Sequence, residues 1–303
     1  MTTDFIIIGG GPAGCSAALF AAKAKRKAVL IHKGTTSLLP TLRWLLPGFP
    51  EGIGAAEWMQ NLKTQINAIP FETLPEEVTQ AALGSSVKQI ITSSGKTLEA
   101  PVIILATGCY NRIGFIEGEA RFAGHGVFYN AYQDANLFEE ETVVVEGKTE
   151  QAAREVLHLA RFANKIHFVV PAMKLEIDER LANHLRNNEK IEVSLSASIK
   201  KIDGNTQLES ATILIAGEEK QISTRGVFLY ARQSKPQYEF LKGTIEISDD
   251  GAVLVDDQLM TSIPGVFACG DMLAGVPQLQ FVSAAQGLVA AMNADRYLSN
   301  TNL

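Results

Sequence analysis

The tightest constraint on this chain is the run "FIIIGGGPAG", Phe5 to Gly14. Four apolar residues, Phe5 to Ile8, read as a strand, and Gly9-x-Gly11-x-x-Gly14 follows at once, before an alanine-rich helix reaching about Lys25. Glycines there permit the tight turn and let main-chain N–H groups approach a pyrophosphate, to which the helix N-terminus offers partial positive charge. A second strand, Ala28 to Ile31, completes a βαβ unit and so implies a parallel sheet with helices on its faces. The acidic residue that accepts adenosine ribose hydroxyls at the end of such a second strand is missing: His32 and Lys33 stand in its place. His32 reads equally as a ribose contact or as an exposed strand end. The basic run Lys23 to Lys27 reads as a solvated helix end that complements the macrodipole.

The same order recurs. "TVVVEGKTEQAAREVLHLARFA", Thr142 to Ala163, is a strand, a turn and a helix, and a strand Lys165 to Val170 follows. Two nucleotide-binding-like domains in tandem are the simplest architecture, and 303 residues suit two cores better than one. The last sixty or so residues, ending in the small-residue helix Ser283 to Leu298, are too few for a third domain. They are expected to return to the first.

Composition removes several classes of function. A net charge of −6 does not favour nucleic acid or an anionic membrane, and no apolar run approaches the roughly 18 residues of a membrane span. A cytoplasmic protein is expected. Cys15, Cys109 and Cys269 form no CxxC, zinc spacing or disulfide framework, and read as buried reduced thiols. The five histidines show no metal-ligand spacing.

Four motifs then occur in one order: "DFIIIGGGPAGCSAALFAA", "LPGFPEG", "VIILATG" at Val102 to Gly108, and "TSIPGVFACGD" at Thr261 to Asp271. Together they resemble the low-molecular-weight thioredoxin reductases over nearly the whole chain. The resemblance implies an α/β protein with two Rossmann-like (FAD/NAD-binding) three-layer domains. It makes the FAD domain discontinuous, residues 1–114 and 245–303, with a second nucleotide-binding-like domain inserted at 115–244. It implies a homodimer. For FAD it points to Gly9, Gly11, Pro12, Ala13 and Gly14 at the pyrophosphate, to Ala106, Thr107 and Gly108, to Gly270 and Asp271 at the ribityl chain, and to Val78 at the adenine. His32 and Lys33 join them at the second strand end, and Gln278, Leu279 and Gln280 stand where relatives contact the flavin.

The departures matter as much. Where the family carries a CxxC followed by Asp, this chain has Asn130 and Gln133 at the thiol positions and keeps Asp134. Disulfide exchange needs a thiolate attacking sulfur, which neither amide supplies. Asp134 reads as a retained acid or a helix cap, and Tyr129 and Tyr132 as cover for the flavin or as packing. The histidine and two arginines that grip the NADPH 2′-phosphate in relatives become Val170, Pro171 and Ala172, so NADPH is not expected. Gly147, Lys148, Thr149 and Arg232 still offer a strand-to-helix anion site, consistent either with a second FAD, as in diflavin-linked relatives, or with an empty scaffold. The expected function is an FAD-dependent oxidoreductase independent of NADPH, its flavin exchanging electrons with an unidentified partner such as ferredoxin. A non-catalytic flavin-binding sensor or scaffold is the alternative.

Overall fold

A computed structural model describes residues 3–34, 44–46, 48–110, 115–175, 177–230, 235–236, 238–241, 243–249 and 251–301. The chain divides into two compact units: Met1–Leu38 with Ala56–Tyr110 and Ser234–Leu303, and Leu39–Ala55 with Asn111–Gln233. The hairpin Trp44–Leu46 with Phe49–Ile53 falls in the second unit, and the segment from Ser234 falls in the first.

In the first unit, the strands Phe5–Ile8, Ala28–Ile31, Glu72–Leu74, Val102–Leu105 and Val266–Ala268 form one parallel sheet. Phe5–Ile8 lies at its centre, between Val102–Leu105 and Ala28–Ile31. Period-two alternation sends Ile6 and Ile8 to one face, where they share a core with Val78 and Ile90 of an antiparallel sheet and with Leu83 beside it. That sheet, Val78–Ala82, Lys88–Thr92 and Thr97–Ala100, is a correction to the expectation of helices on both faces. Each such aliphatic side chain contributes on the order of 1.5–3 kcal/mol by burial.

The helix Pro12–Lys23 packs closely with the C-terminal helix Gln280–Thr301. Gly287 makes the approach possible, because a Cβ there would lie 1.9 Å from the Ala13 carbonyl oxygen. The C-terminal segment therefore belongs with the first unit.

The second unit repeats the plan. Val127–Phe128, Gly226–Leu229, Thr142–Glu146, Lys165–Val170 and Ile191–Leu195 form its parallel sheet, in that spatial order. Val143 and Val145 face the helix Glu150–Leu159 and Leu181 and Leu185 of the helix Glu179–Arg186. Val144 faces a second antiparallel sheet, Ala197–Gly204, Leu208–Ile215 and Glu218–Ser223. Among the described residues, no helix is long and apolar enough to cross a membrane, and no cluster of metal-ligating side chains occurs.

Candidate functional site

A cleft of about 540 Å³ opens in the first unit where the strands Phe5–Ile8, Ala28–Ile31 and Val102–Leu105 end. That volume falls within the roughly 300–1,000 Å³ of small-molecule sites. It sits at the C-terminal ends of parallel strands, where open α/β sheets bind ligands.

The glycine turn shapes one wall. Gly9 has φ +121°, and a Cβ there would meet the Ala106 carbonyl oxygen at 2.1 Å. Gly14 lies against Gly9 so closely that a Cβ would fall 1.7 Å from the Gly9 oxygen, so strand and helix meet through bare backbone. Gly11 differs. It is the N-cap of the helix Pro12–Lys23, with no side-chain cap and no acidic residue in the first turn, and a Cβ there would meet nothing within 4 Å. The first-turn N–H groups have no intrahelical acceptor. The positive end of the helix therefore faces the cleft through a space that any side chain at position 11 would enter.

The opposite wall carries Asp271. Its Oδ1 accepts from the Ser283 hydroxyl at 2.6 Å, and burial lifts the carboxyl above the ordinary range while that hydrogen bond opposes the rise. Gly270 N–H donates to Gln286 Oε1 at 2.9 Å, and the Cys109 thiol donates to the Asp271 carbonyl at 2.9 Å. At the far end, His32 Nδ1 accepts from Gly34 N–H at 3.0 Å, and Lys33 pairs with Glu77.

Of the residues expected at a nucleotide, the cleft brings together Gly9, Gly11, Pro12, Ala13, His32, Lys33, Val78, Ala106, Thr107, Gly108, Gly270 and Asp271. Gly14 supports it from behind the turn. Gln278, Leu279 and Gln280 do not line it, although Gln278 Nε2 approaches the Cys109 thiol at 4.0 Å. Gln280 Oε1 is buried with no hydrogen-bond partner among the described residues. Sequence reasoning missed Glu76, Glu77, Thr79, Phe240, Cys269 and Ser283, all on the lining. Two of these carried a signal: Cys269 stands inside the Thr261 to Asp271 motif, and Ser283 is a small polar residue early in the helix that follows the Gly270-Asp271 turn.

All three cysteines are buried, and none is joined in a disulfide. Burial pushes the Cys15 thiol up to about 11, against the Lys63 charge, and the Cys269 thiol up to about 12. Neither is a thiolate at neutral pH.

In the second unit, the turn expected to hold an anion carries a helix cap of its own. Thr149 caps the helix Glu150–Leu159, accepting from Ala152 N–H at 3.2 Å, and Glu150 sets a negative charge in the first turn. Gly147 packs against Ala152 and Tyr230, and Lys148 is exposed. Arg232 lies outside the described residues. Val170 is the buried end of its strand, and Pro171 is exposed.

The segment at the family's thiol positions is a short helix, Ala131–Asp134. Asn130 Oδ1 is buried with no partner among the described residues, and Asp134 makes no side-chain cap hydrogen bond. Instead Asp134 is buried beside Glu155, and burial first and that charge second push its carboxyl up to about 7. Glu155 accepts from Ala131 N–H at 2.6 Å, Tyr230 OH at 2.7 Å and Gln151 Nε2 at 2.9 Å. Tyr132 is half exposed against His158, and Tyr129 OH donates to Glu119 at 3.2 Å.

Comparison with known proteins agrees with this geometry. Residues 3–287 match the family model described as pyridine nucleotide-disulphide oxidoreductase. Thioredoxin reductase of Aquifex aeolicus (strain VF5) is 32% identical over 305 residues, covering 98% of this chain and 93% of that protein. NADPH-dependent thioredoxin reductase 3 of Arabidopsis thaliana is 30% identical, covering 99% of this chain and 59% of that protein. The solved structure of thioredoxin reductase from Giardia duodenalis superposes with a TM-score of 0.90 at 27% identity, covering 98% of this chain and 99% of that one.

Proposed function

Because this chain belongs to the pyridine nucleotide-disulphide oxidoreductase family, as a thioredoxin reductase-like flavoprotein, we propose that it holds one FAD in the cleft of its first unit. It exchanges electrons with a protein partner, using neither NADPH nor a CxxC dithiol. The observation that carries the reading is the conjunction at Gly11: an uncapped helix start, with room in front of it, facing a cleft closed by a buried carboxyl.

The residues present fit the group. Backbone amides of the first turn would hold the diphosphate, Asp271 the ribityl hydroxyls, and Val78 and Phe240 the adenine. A bound flavin supplies reversible one- and two-electron transfer. Asp271, steadied by Ser283, would orient that chain, and the buried Cys269 would keep water from behind it.

Independence from NADPH rests on Val170, Pro171 and Ala172, which carry no cation for a 2′-phosphate. The self-capped start of the helix Glu150–Leu159 supports a single flavin per chain. Absence of the dithiol route rests on Asn130 and Gln133, with Cys15 and Cys269 buried as thiols. A one-electron carrier such as ferredoxin is the candidate partner. A homodimer belongs to the same reading, and the apolar stripe Phe281, Leu288, Val289 and Met292, exposed on the C-terminal helix, supports it.

Denaturing the purified protein and counting released FAD tests the first claim, with one per chain expected. Anaerobic addition of NADPH tests the second: the visible flavin bands should persist, then bleach under photoreduction and return when oxidised ferredoxin is added. A colourless protein that refuses FAD, or prompt bleaching by NADPH, would overturn the proposal.

A further inference from the structure

The adenosine end of the cleft is built with the opposite hydrogen-bond polarity to the one the βαβ motif leads one to expect. His32 follows the second strand, lines the cleft, and is held from two sides. Its Nδ1 accepts from Gly34 N–H at 3.0 Å, and its Cβ stands where a Cβ on Gly10 would come within 2.7 Å. A neutral imidazole carries one N–H, and with Nδ1 accepting, the hydrogen is on Nε2. The ring stays neutral at pH 7, since burial first and the Lys63 charge second lower its pKa. The neighbouring Lys33 and Glu77 pair with each other.

Resting on the FAD reading above, we propose that His32 determines selectivity at the adenosine end, donating Nε2–H to a ribose hydroxyl where a carboxylate would accept from one. A carboxylate can only accept, so it requires the hydroxyl as donor. An imidazole N–H requires only an acceptor oxygen. The histidine thus keeps the affinity of the adenosine half while changing what that half must offer.

The test measures dissociation constants for FAD and FMN on deflavinated protein, by flavin fluorescence quenching, with melting temperature as the fold control. Loss of one hydrogen bond from His32→Leu should weaken FAD about tenfold. FMN, which lacks the adenosine, should bind as it does to wild type. His32→Gln, whose amide can both accept from Gly34 and donate, should stay within about threefold of wild type for FAD. The proposal falls if His32→Leu binds FAD as tightly as wild type, or if FAD and FMN weaken together, which makes His32 a shaper of the cleft only. If His32→Leu does not fold, His32→Ala decides: it offers neither donor nor acceptor, and FAD affinity within threefold of wild type overturns the assignment. A wild-type protein that binds neither flavin refutes the FAD reading itself, whereas one that binds FAD regardless of residue 32 refutes only this inference.

Discussion

The two units share one plan and differ at one place. Each has a five-stranded parallel sheet with helices on one face and a three-stranded antiparallel sheet on the other, and in each a strand runs through a glycine turn into a helix. In the first unit that helix starts at Gly11 without a cap or an acidic residue, and its amides open on a cleft. In the second, Thr149 and Glu150 meet the same need from within the chain. The sheet sets where a ligand would sit, and the first helical turn decides whether the protein has already used the place. The same fold thus presents one helix start without a side-chain cap and one with a cap supplied by the chain.

The largest effect should come from the glycine behind the first turn. Gly14→Val would force a Cβ to within 1.7 Å of the Gly9 oxygen, a backbone atom that cannot rotate away, and should cost at least about 4 kcal/mol together with retained flavin. The turn glycine of the second unit is more tolerant: Gly147→Ala meets the Ala152 and Tyr230 side chains at 2.5 and 3.1 Å, so about 1–2 kcal/mol is expected. Denaturant melts of both variants break the comparison if the order reverses.

The buried acids give the next contrast. Asp271 lies beside a serine donor, whereas Asp134 lies beside Glu155 and rises from 3.8 to about 7. A carboxyl whose pKa is higher in the folded state contributes stability that is complete below the unfolded value and lost as pH rises through the folded one. The loss should run between about pH 4 and 7 and total at most about 4 kcal/mol. Asp134→Asn removes the ionisation: it should be more stable than wild type at pH 8, with the gap closing towards pH 4. Urea melts across that range check it, and a gap that widens in acid would reverse the assignment.

What the sequence made legible follows from where each signal is stored. Strands Phe5–Ile8, Ala28–Ile31 and Lys165–Val170 were readable to the residue, because buried parallel strands are short continuous apolar runs. The glycine turn was readable because spacing along one segment carries its chemistry. Glu76, Glu77, Thr79 and Phe240 were not, since they reach the cleft through chain topology and have no local pattern of their own. The exposed strand Glu218–Ser223, with one buried residue in six, has too little apolar alternation to stand out. The proximity of Asp134, Glu155 and Tyr230 was invisible for the same reason: they are distant in sequence, and only folding sets the carboxyls side by side.

Exchanging the two helix starts sharpens the contrast further. Gly11→Ser gives the first helix the cap that the second already has, and its Cβ meets no atom within 4 Å. Stability without flavin should hold or rise by about 0.5–1 kcal/mol, while the new side chain enters the space before the amides and lowers FAD affinity by about tenfold or more. A stabilised protein with unchanged affinity would mean that the diphosphate does not sit there.

The smallest effect is the reverse change. Thr149→Ala removes the hydroxyl that accepts from Ala152 N–H and should cost about 1 kcal/mol, the usual penalty for losing a helix cap. It also frees first-turn amides in the second unit, so it asks whether the cap alone keeps a nucleotide out. Glu150 still places a carboxylate at that turn and repels a phosphate, and Gly147 still packs against Ala152 and Tyr230. The flavin count should accordingly remain one per chain in Thr149→Ala, measured after saturation with excess FAD and gel filtration. A count approaching two would show that one hydroxyl, rather than the charge and packing around it, keeps a flavin out of the second unit.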